Sequence, residues 1–255
     1  MKTKLSKHLK LLISIISIVL VATIILVVII CKMNIKSSAK YIAHRGHGYY
    51  DNTEEAFYNS TGFWGVECDV RITSDDKFIL NHDETITSDN GEALNVENTA
   101  YDVLVSQTIG GGYTLCSLSK YLEICKELNL VSIIELKSIF SSEDVTRLLN
   151  EIDAYYDIDK CVIISFSSEN LLKVKEQSSV ELQYLIGANK DAAIDFCISN
   201  KINPSVSYNI LEKSDVNRAH ENDLKVGTWT VNSETINNKV KSMGVDYITS
   251  DFFNK

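Results

Sequence analysis

Four short polar motifs hold the residues able to do chemistry: His44-Arg45-Gly46, Glu67-Cys68-Asp69, Asn81-His82-Asp83 and Glu135-Leu136-Lys137. Each closes an apolar, strand-like run. They supply histidines at 44 and 82, carboxylates at Glu67, Asp69 and Glu135, and cations at Arg45 and Lys137. Histidine transfers protons near neutral pH. Convergent carboxylates hold a hard divalent ion such as Ca²⁺ or Mg²⁺. Arginine and lysine pair with non-bridging phosphate oxygens. Together these groups suit metal-assisted cleavage of a phosphodiester. His44 and His82 would serve as base for the attacking oxygen and acid for the leaving alkoxide.

Spacing sharpens this reading. Glu67 and Asp69 are one residue apart on a strand and so share a face. Two such carboxylates repel unless protonated or bridged by a cation. Cys68 between them must point the other way, toward a helical layer. Arg45 and Lys137 have salt bridges to the neighbouring acids as their simpler role. Asn52 either hydrogen-bonds the site or caps a helix starting near Thr53, whose dipole Glu54 and Glu55 would complement. His47 is ambiguous because it lies so close to His44; His8 and His220 lie outside the motifs. Trp229, in the run Val226 to Asn232, is a candidate wall for an alcohol or headgroup, with core packing as its alternative.

The elements that must position these residues alternate in type. Strand-like runs fall at 41–44, 65–72, 78–82, 131–136, 161–165, 182–186, 202–206, 225–231 and 245–249. Helical periodicity lies between many of them, as in Leu118-Tyr121-Leu122-Cys125 and Val145-Leu148-Leu149-Ile152. Further helices are expected at 168–177, 190–199, 213–222 and 233–242. This alternation predicts an α/β fold, a (β/α)8 TIM-type barrel over residues 41–255. Nine runs exceed eight places. The link from Ile72 to Phe78 is too short for a parallel crossover, so 65–72 and 78–82 are expected to form a hairpin. A turn centred near Asp75-Asp76 would set His82 opposite Asp69. Residues 83–113 read as an irregular loop or lid over the barrel mouth.

The N-terminus is of another kind. Leu11 to Ile30 is apolar except for Ser14, Ser17 and Thr23, and Lys2, Lys4, Lys7 and Lys10 precede it. Twenty residues at about 1.5 Å each span the roughly 30 Å hydrocarbon core. The sequence therefore predicts a cytoplasmic segment 1–10, a transmembrane helix at 11–31, a linker at 32–40, and a barrel on the extracytoplasmic side. A cleaved signal, with Ser37-Ser38-Ala39 as its site, would instead release the domain. Bulky Ile30 argues against a lipoprotein at Cys31. Charge divides as sharply. Six of 25 basic residues precede residue 40 and no acid precedes Asp51, leaving 19 basic against 34 acidic, a balance of −15. A nucleic-acid partner is not expected of so acidic a domain. The six cysteines form no CxxC pair and read as buried free thiols.

Taken in order, the motifs resemble the glycerophosphodiester phosphodiesterase family. The likeness runs from Ile42 to Phe253. It rests on His44-Arg45-Gly46, Glu67/Asp69/Val70 with Thr73 and Asp75, His82-Asp83, Glu135-Leu136-Lys137, Ser165-Phe166, Trp229 to Asn232, and Gly244 to Asp251. The resemblance implies a divalent cation, often Ca²⁺ or Mg²⁺, on Glu67, Asp69 and Glu135, with His44 and His82 as acid and base. It implies glycerol 3-phosphate and an alcohol as products. It allows a course in which a glycerol hydroxyl attacks phosphorus and water then opens the cyclic phosphate. Alternatives are a lysophospholipase D, a glycerol-phosphate polymer hydrolase at the membrane surface, and an inactive anchored binding protein on the same barrel. One departure stands out: Tyr50-Asp51-Asn52-Thr53 occupies the place of the family's Pro-Glu-Asn-Thr.

Overall fold

A computed structural model describes residues 39–253 together with residues 13, 15–21 and 23. The chain divides into two units, residues 1–37 and 38–255. In the first, the described residues are helical. Ser17 and Thr23 donate their hydroxyls to the carbonyls of Ile13 and Val19, at 2.9 and 2.8 Å. These two polar breaks in the apolar run are thus satisfied locally. Among the described residues no helix is long and apolar enough to cross a membrane. Most of the anchor expected over 11–31 lies outside the described residues, as do the 1–10 segment and most of the linker.

The second unit contains β1 (Lys40–Ala43), β2 (Gly65–Ile72), β3 (Phe78–Leu80), β4 (Thr85–Thr87), β5 (Ala93–Asn95), β6 (Val131–Leu136), β7 (Cys161–Ser165), β8 (Glu181–Ile186), β9 (Asn203–Ser207), β10 (Gly227–Trp229) and β11 (Tyr247–Ser250). β1, β2 and β6 to β11 pair in parallel, and the ring closes because β1 pairs with both β11 and β2. The expected eight-stranded barrel is therefore present. Helices return the chain between successive barrel strands, at Glu54–Tyr58, Leu118–Leu128, Ser142–Tyr155, Ser168–Gln177, Lys190–Asn200, Lys213–His220 and Glu234–Met243. Ser117, Ser141, Ser167 and Ser233 each accept a backbone N–H in the first turn, which fixes where four of these helices begin.

Strand alternation sorts the side chains into separate cores. Outward-facing Tyr41, Ala43, Cys68, Ile134 and Ile163 pack with helical residues such as Phe57, Leu122 and Leu148. Inward-facing Ile42, Ile133, Val162, Ile164, Leu185 and Tyr247 fill the barrel. Cys68 faces the helical layer, as strand periodicity requires. The five cysteines among the described residues are free and buried.

Two expectations change. β2 and β3 do form an antiparallel hairpin, but Val70 pairs with Leu80 and Ile72 with Phe78. Asn81, not His82, therefore stands opposite Asp69, and its N–H donates to the Asp69 carbonyl at 3.0 Å. The reason lies in the turn. Thr73 pairs with Lys77 through backbone and hydroxyl, and Asp76 takes the left-handed conformation. The turn thus centres on Asp75, half a residue earlier than expected. Residues 83–113 are not wholly irregular either. β4 and β5 pair, a short helix covers Tyr101–Val105, and Ile79, Ile86, Val96, Leu104, Ile109 and Leu115 form a small core of their own.

Candidate active site

The polar motifs meet at the C-terminal ends of the barrel strands, where such barrels place their functional groups. His44, Glu67, Asp69, Glu135 and Lys137 arrive there by strand parity. On β1 the inward positions run through Ile42 to His44. On β2 they include Glu67 and Asp69, and on β6 Ile133, Glu135 and then Lys137. A cleft of about 630 Å³, including its open mouth, is lined by His44, Arg45, Glu67, His82, Glu135, Lys137 and Trp229. Ile164, Phe166, Gln183, Leu185 and Ser205 line the same cleft.

At its centre, one carboxylate oxygen from each of Glu67, Asp69 and Glu135 falls within 4.8 Å of the others. Glu67 and Asp69 are 2% and 0% exposed. Burial holds the Glu67 carboxyl well above the usual range, and the charges of Asp69 and Glu135 push it further. Burial and the Asp69 charge raise Glu135 to about 6, against the pull of Lys137. Glu67 Oε1 and Asp69 Oδ1 are buried without a hydrogen-bond partner. Buried oxygens without hydrogen-bond donors, beside Glu67 and Glu135 carboxyls that burial and neighbouring charge make reluctant to ionise, fit a bound cation. An all-oxygen donor set of this charge fits a hard divalent ion.

Cations and amides complete the cluster. Lys137 Nζ lies 3.0 Å from Glu135 Oε1 and 3.5 Å from Asp69 Oδ1. Arg45 Nε lies 3.2 Å from Asp69 Oδ2 and its Nη1 3.2 Å from Asp51 Oδ2. Arg45 itself adopts a left-handed backbone (φ 54°), which turns its own N–H onto Glu67 Oε2 at 2.8 Å. Asn52 donates its amide to Asp69 Oδ2 at 2.8 Å and accepts from the Asp69 N–H at 3.0 Å. Of the two roles open to Asn52, the hydrogen bond to the site is the one observed. The cap falls to Thr53, whose hydroxyl accepts from the Ala56 N–H.

Both histidines are steered by a carboxylate. His44 Nδ1 is 2.8 Å from Asp251 Oδ1, and His82 Nδ1 is 2.8 Å from Asp83 Oδ1. The hydrogen bonds hold Asp251 and Asp83 below the usual carboxylate range. In each ring Nδ1–H is occupied, so Nε2 is the atom left for exchange with a ligand. His82 lies beyond the end of β3, yet it still reaches the cleft. Arg71 fixes it there by donating from Nη2 and Nε to the His82 carbonyl, at 2.8 and 3.2 Å. His47 turns elsewhere, its ring bonded to the Asp251 carbonyl and packed on Phe63. Trp229 walls the cleft, with Nε1 donating to the Ser205 carbonyl at 2.9 Å and its ring edge-on to Phe166.

The sequence motifs include Asp83 and Asp251 without giving either a role, and sequence reasoning did not name Arg71 or Gln183. Inward parity marks two of them: Asp251 follows Thr249 at the end of β11, and Gln183 is a polar inward residue in the middle of β8.

Comparison with known proteins agrees with this geometry. Residues 44–255 match the sequence model of the glycerophosphoryl diester phosphodiesterase family. A glycerophosphodiester phosphodiesterase of Bacillus altitudinis is 26% identical over 231 residues, covering 84% of this chain and 94% of that protein. One from Caldanaerobacter subterraneus is 25% identical over 227 residues, covering 82% and 93%. Among solved structures, an Oleispira antarctica phosphodiesterase in complex with its product sn-glycerol-3-phosphate aligns with a TM-score of 0.78 at 20% identity, covering 84% of this chain and 94% of that one. A glycerophosphodiester phosphodiesterase from Parabacteroides distasonis aligns with a TM-score of 0.73 at 23% identity, covering 84% and 93%.

Proposed function

The chain belongs to the glycerophosphoryl diester phosphodiesterase family and is a phosphoric diester hydrolase, and we propose that it converts glycerophosphodiesters to glycerol 3-phosphate and an alcohol with a divalent cation and two histidines. The observation that carries this reading is the convergence of Glu67, Asp69 and Glu135 oxygens within 4.8 Å in one cleft with His44, His82, Arg45 and Lys137.

The residues divide the work. Glu67, Asp69 and Glu135 would hold the cation, Ca²⁺ or Mg²⁺, which would supply Lewis-acid polarisation of the phosphate and offset its developing charge. Arg45 and Lys137 present positive charge to the non-bridging oxygens. One histidine takes the proton of the attacking oxygen through Nε2 as that oxygen bonds to phosphorus; the oxygen is that of water, or of a glycerol hydroxyl whose cyclic phosphate water then opens to glycerol 3-phosphate. The P–O bond to the alcohol breaks, and the other histidine returns a proton to the leaving oxygen. Asp251 and Asp83 keep the two rings in the tautomer this requires. Asn52 acts by holding Asp69 and Trp229 by walling the substrate.

The apolar run Leu11 to Ile30, with Lys2, Lys4, Lys7 and Lys10 before it, supports an uncleaved anchor with the barrel on the extracytoplasmic side. Protease added to intact cells that left the barrel untouched would contradict this placement.

The functional reading is tested by incubating the full chain with glycerophosphocholine, glycerophosphoethanolamine and lysophosphatidylcholine and identifying products. Glycerol 3-phosphate is expected from the first two. Lysophosphatidate and choline, without glycerol 3-phosphate, would move the assignment to a lysophospholipase D.

A further inference from the structure

The cleft has two unlike walls. On one stand the carboxylates, cations and histidines. On the other, β8, β9 and β10 present Gln183, Ser205 and Trp229. Gln183 is 3% exposed, and its Nε2 has no hydrogen-bond partner. Buried amide donors are nearly always paired, and an exception calls for an explanation. The backbone of Gly227 packs closely against it. A Cβ on Gly227 would come within 2.7 Å of Ser205 Oγ and 3.0 Å of Gln183 Oε1, so any larger residue there would displace both side chains. The Trp229 N–H is already committed to the Ser205 carbonyl. Gln183 and Ser205 thus present an amide and a hydroxyl that make no side-chain hydrogen bond to the described residues through Nε2 and Oγ, framed by apolar Ile164, Leu185 and Phe166.

We propose that Gln183, with Ser205, forms a subsite that reads the terminal hydroxyl of the substrate's glyceryl group, the one farthest from phosphorus. This rests on the functional reading above. An amide N–H beside a hydroxyl offers a donor together with a group that can donate or accept, which a ligand hydroxyl can satisfy on both counts. An acyl chain or a quaternary ammonium has no acceptor to give, and would leave the buried amide stranded. The apolar side chains cover the carbon skeleton. The compact glyceryl end then occupies the floor, and the alcohol to be released projects toward the open mouth. Specificity is strict for glycerol and loose for the alcohol. Gln183 is a specificity residue that leaves the acid–base pair alone.

The test compares two substrates. One is glycerophosphocholine. The other is its propane-1,2-diol analogue, which keeps the hydroxyl nearest the phosphoester and lacks the terminal one. A site built around a substrate hydroxyl rejects the analogue lacking it. For wild type, kcat/KM is expected to fall about tenfold or more on the analogue, chiefly through KM. Gln183→Met is expected to show that same loss on glycerophosphocholine and no further loss on the analogue. Ser205→Ala, a smaller change that preserves the fold, is expected to narrow the preference in the same direction. Equal kcat/KM of wild type on both substrates overturns the proposal, as does a full preference retained by folded Gln183→Met and Ser205→Ala. Wild type inert on both substrates, with lysophosphatidylcholine cleaved, overturns the functional reading and the subsite with it.

Discussion

Asn52 grips Asp69 at two points. Its amide donates to the carboxylate at 2.8 Å and its carbonyl oxygen accepts from the Asp69 N–H at 3.0 Å. Asn52 takes a left-handed backbone (φ 55°) to do so, a conformation asparagine tolerates better than most residues. The clasp fixes which Asp69 oxygen faces Glu67 and Glu135. Asn52→Ala is expected to weaken divalent-cation binding about 10–100-fold, the usual effect of losing a group that orients a metal ligand. Calorimetric titration with Ca²⁺ or Mg²⁺ measures it, and unchanged affinity would show that Asp69 needs no such support.

His44 and His82 carry the proton transfers in this account. His44→Ala and His82→Ala are each expected to lower kcat by about 10²–10⁴-fold. Asp251→Asn is expected to cost less than His44→Ala, because it misorients the ring and leaves it in place. The comparison of the three turnover rates on glycerophosphocholine decides the point. Near-normal rates in both histidine variants would end the two-histidine scheme.

The carboxylate cluster makes a prediction about pH. In the metal-free fold Glu135 holds its proton to about 6, whereas in an unfolded chain it releases it near about 4.3. Between those values the folded state binds more protons than the unfolded state. Stability contributed by this group therefore falls as pH rises through that window. Glu67, raised by the same burial, acts in the same direction. A divalent ion removes the repulsion only where the carboxylates are ionised. Added Ca²⁺ or Mg²⁺ is expected to raise Tm more at pH 8 than at pH 5. An equal shift at both pH values would place the ion elsewhere.

Much of this site was legible in the sequence because strand parity is simple. Glu67 and Asp69 flank Cys68, and the inward pair and outward thiol follow from a period of two. His44 and Lys137 fall on that same parity one step beyond their strands. His82 was harder. Its place depends on whether a turn centres on Asp75 or half a residue later, which Thr73 and Asp76 decide through local hydrogen bonds and a left-handed backbone. β4 and β5 hid because three-residue strands with polar neighbours, Thr85-Ile86-Thr87 and Ala93-Leu94-Asn95, carry too little alternation to recognise. The partner Asp251 comes from the end of β11 and only barrel closure brings it to His44, whereas Arg71 reaches His82 across the β2–β3 hairpin.

Tyr121 ties the two strands that carry the carboxylates. Its hydroxyl donates to the Val66 carbonyl on β2 at 2.6 Å and accepts from the Ile133 N–H on β6 at 3.1 Å. Tyr121 is fully buried. Tyr121→Phe leaves that N–H without a partner and is expected to destabilise the fold by about 1–3 kcal/mol. Chemical denaturation measures the change. Unaltered stability would show that the strands are held without it.

The central claim is that three carboxylates hold a divalent ion on which phosphodiester cleavage depends. Glycerol 3-phosphate release from glycerophosphocholine after EDTA treatment, and again after Ca²⁺ or Mg²⁺ is restored, tests it most directly when wild type is run beside Glu67→Gln. Release is expected to stop with EDTA, to return with the ion in wild type, and to stay low in Glu67→Gln. Release that persists in EDTA, or full recovery of Glu67→Gln at the wild-type ion concentration, would contradict the claim.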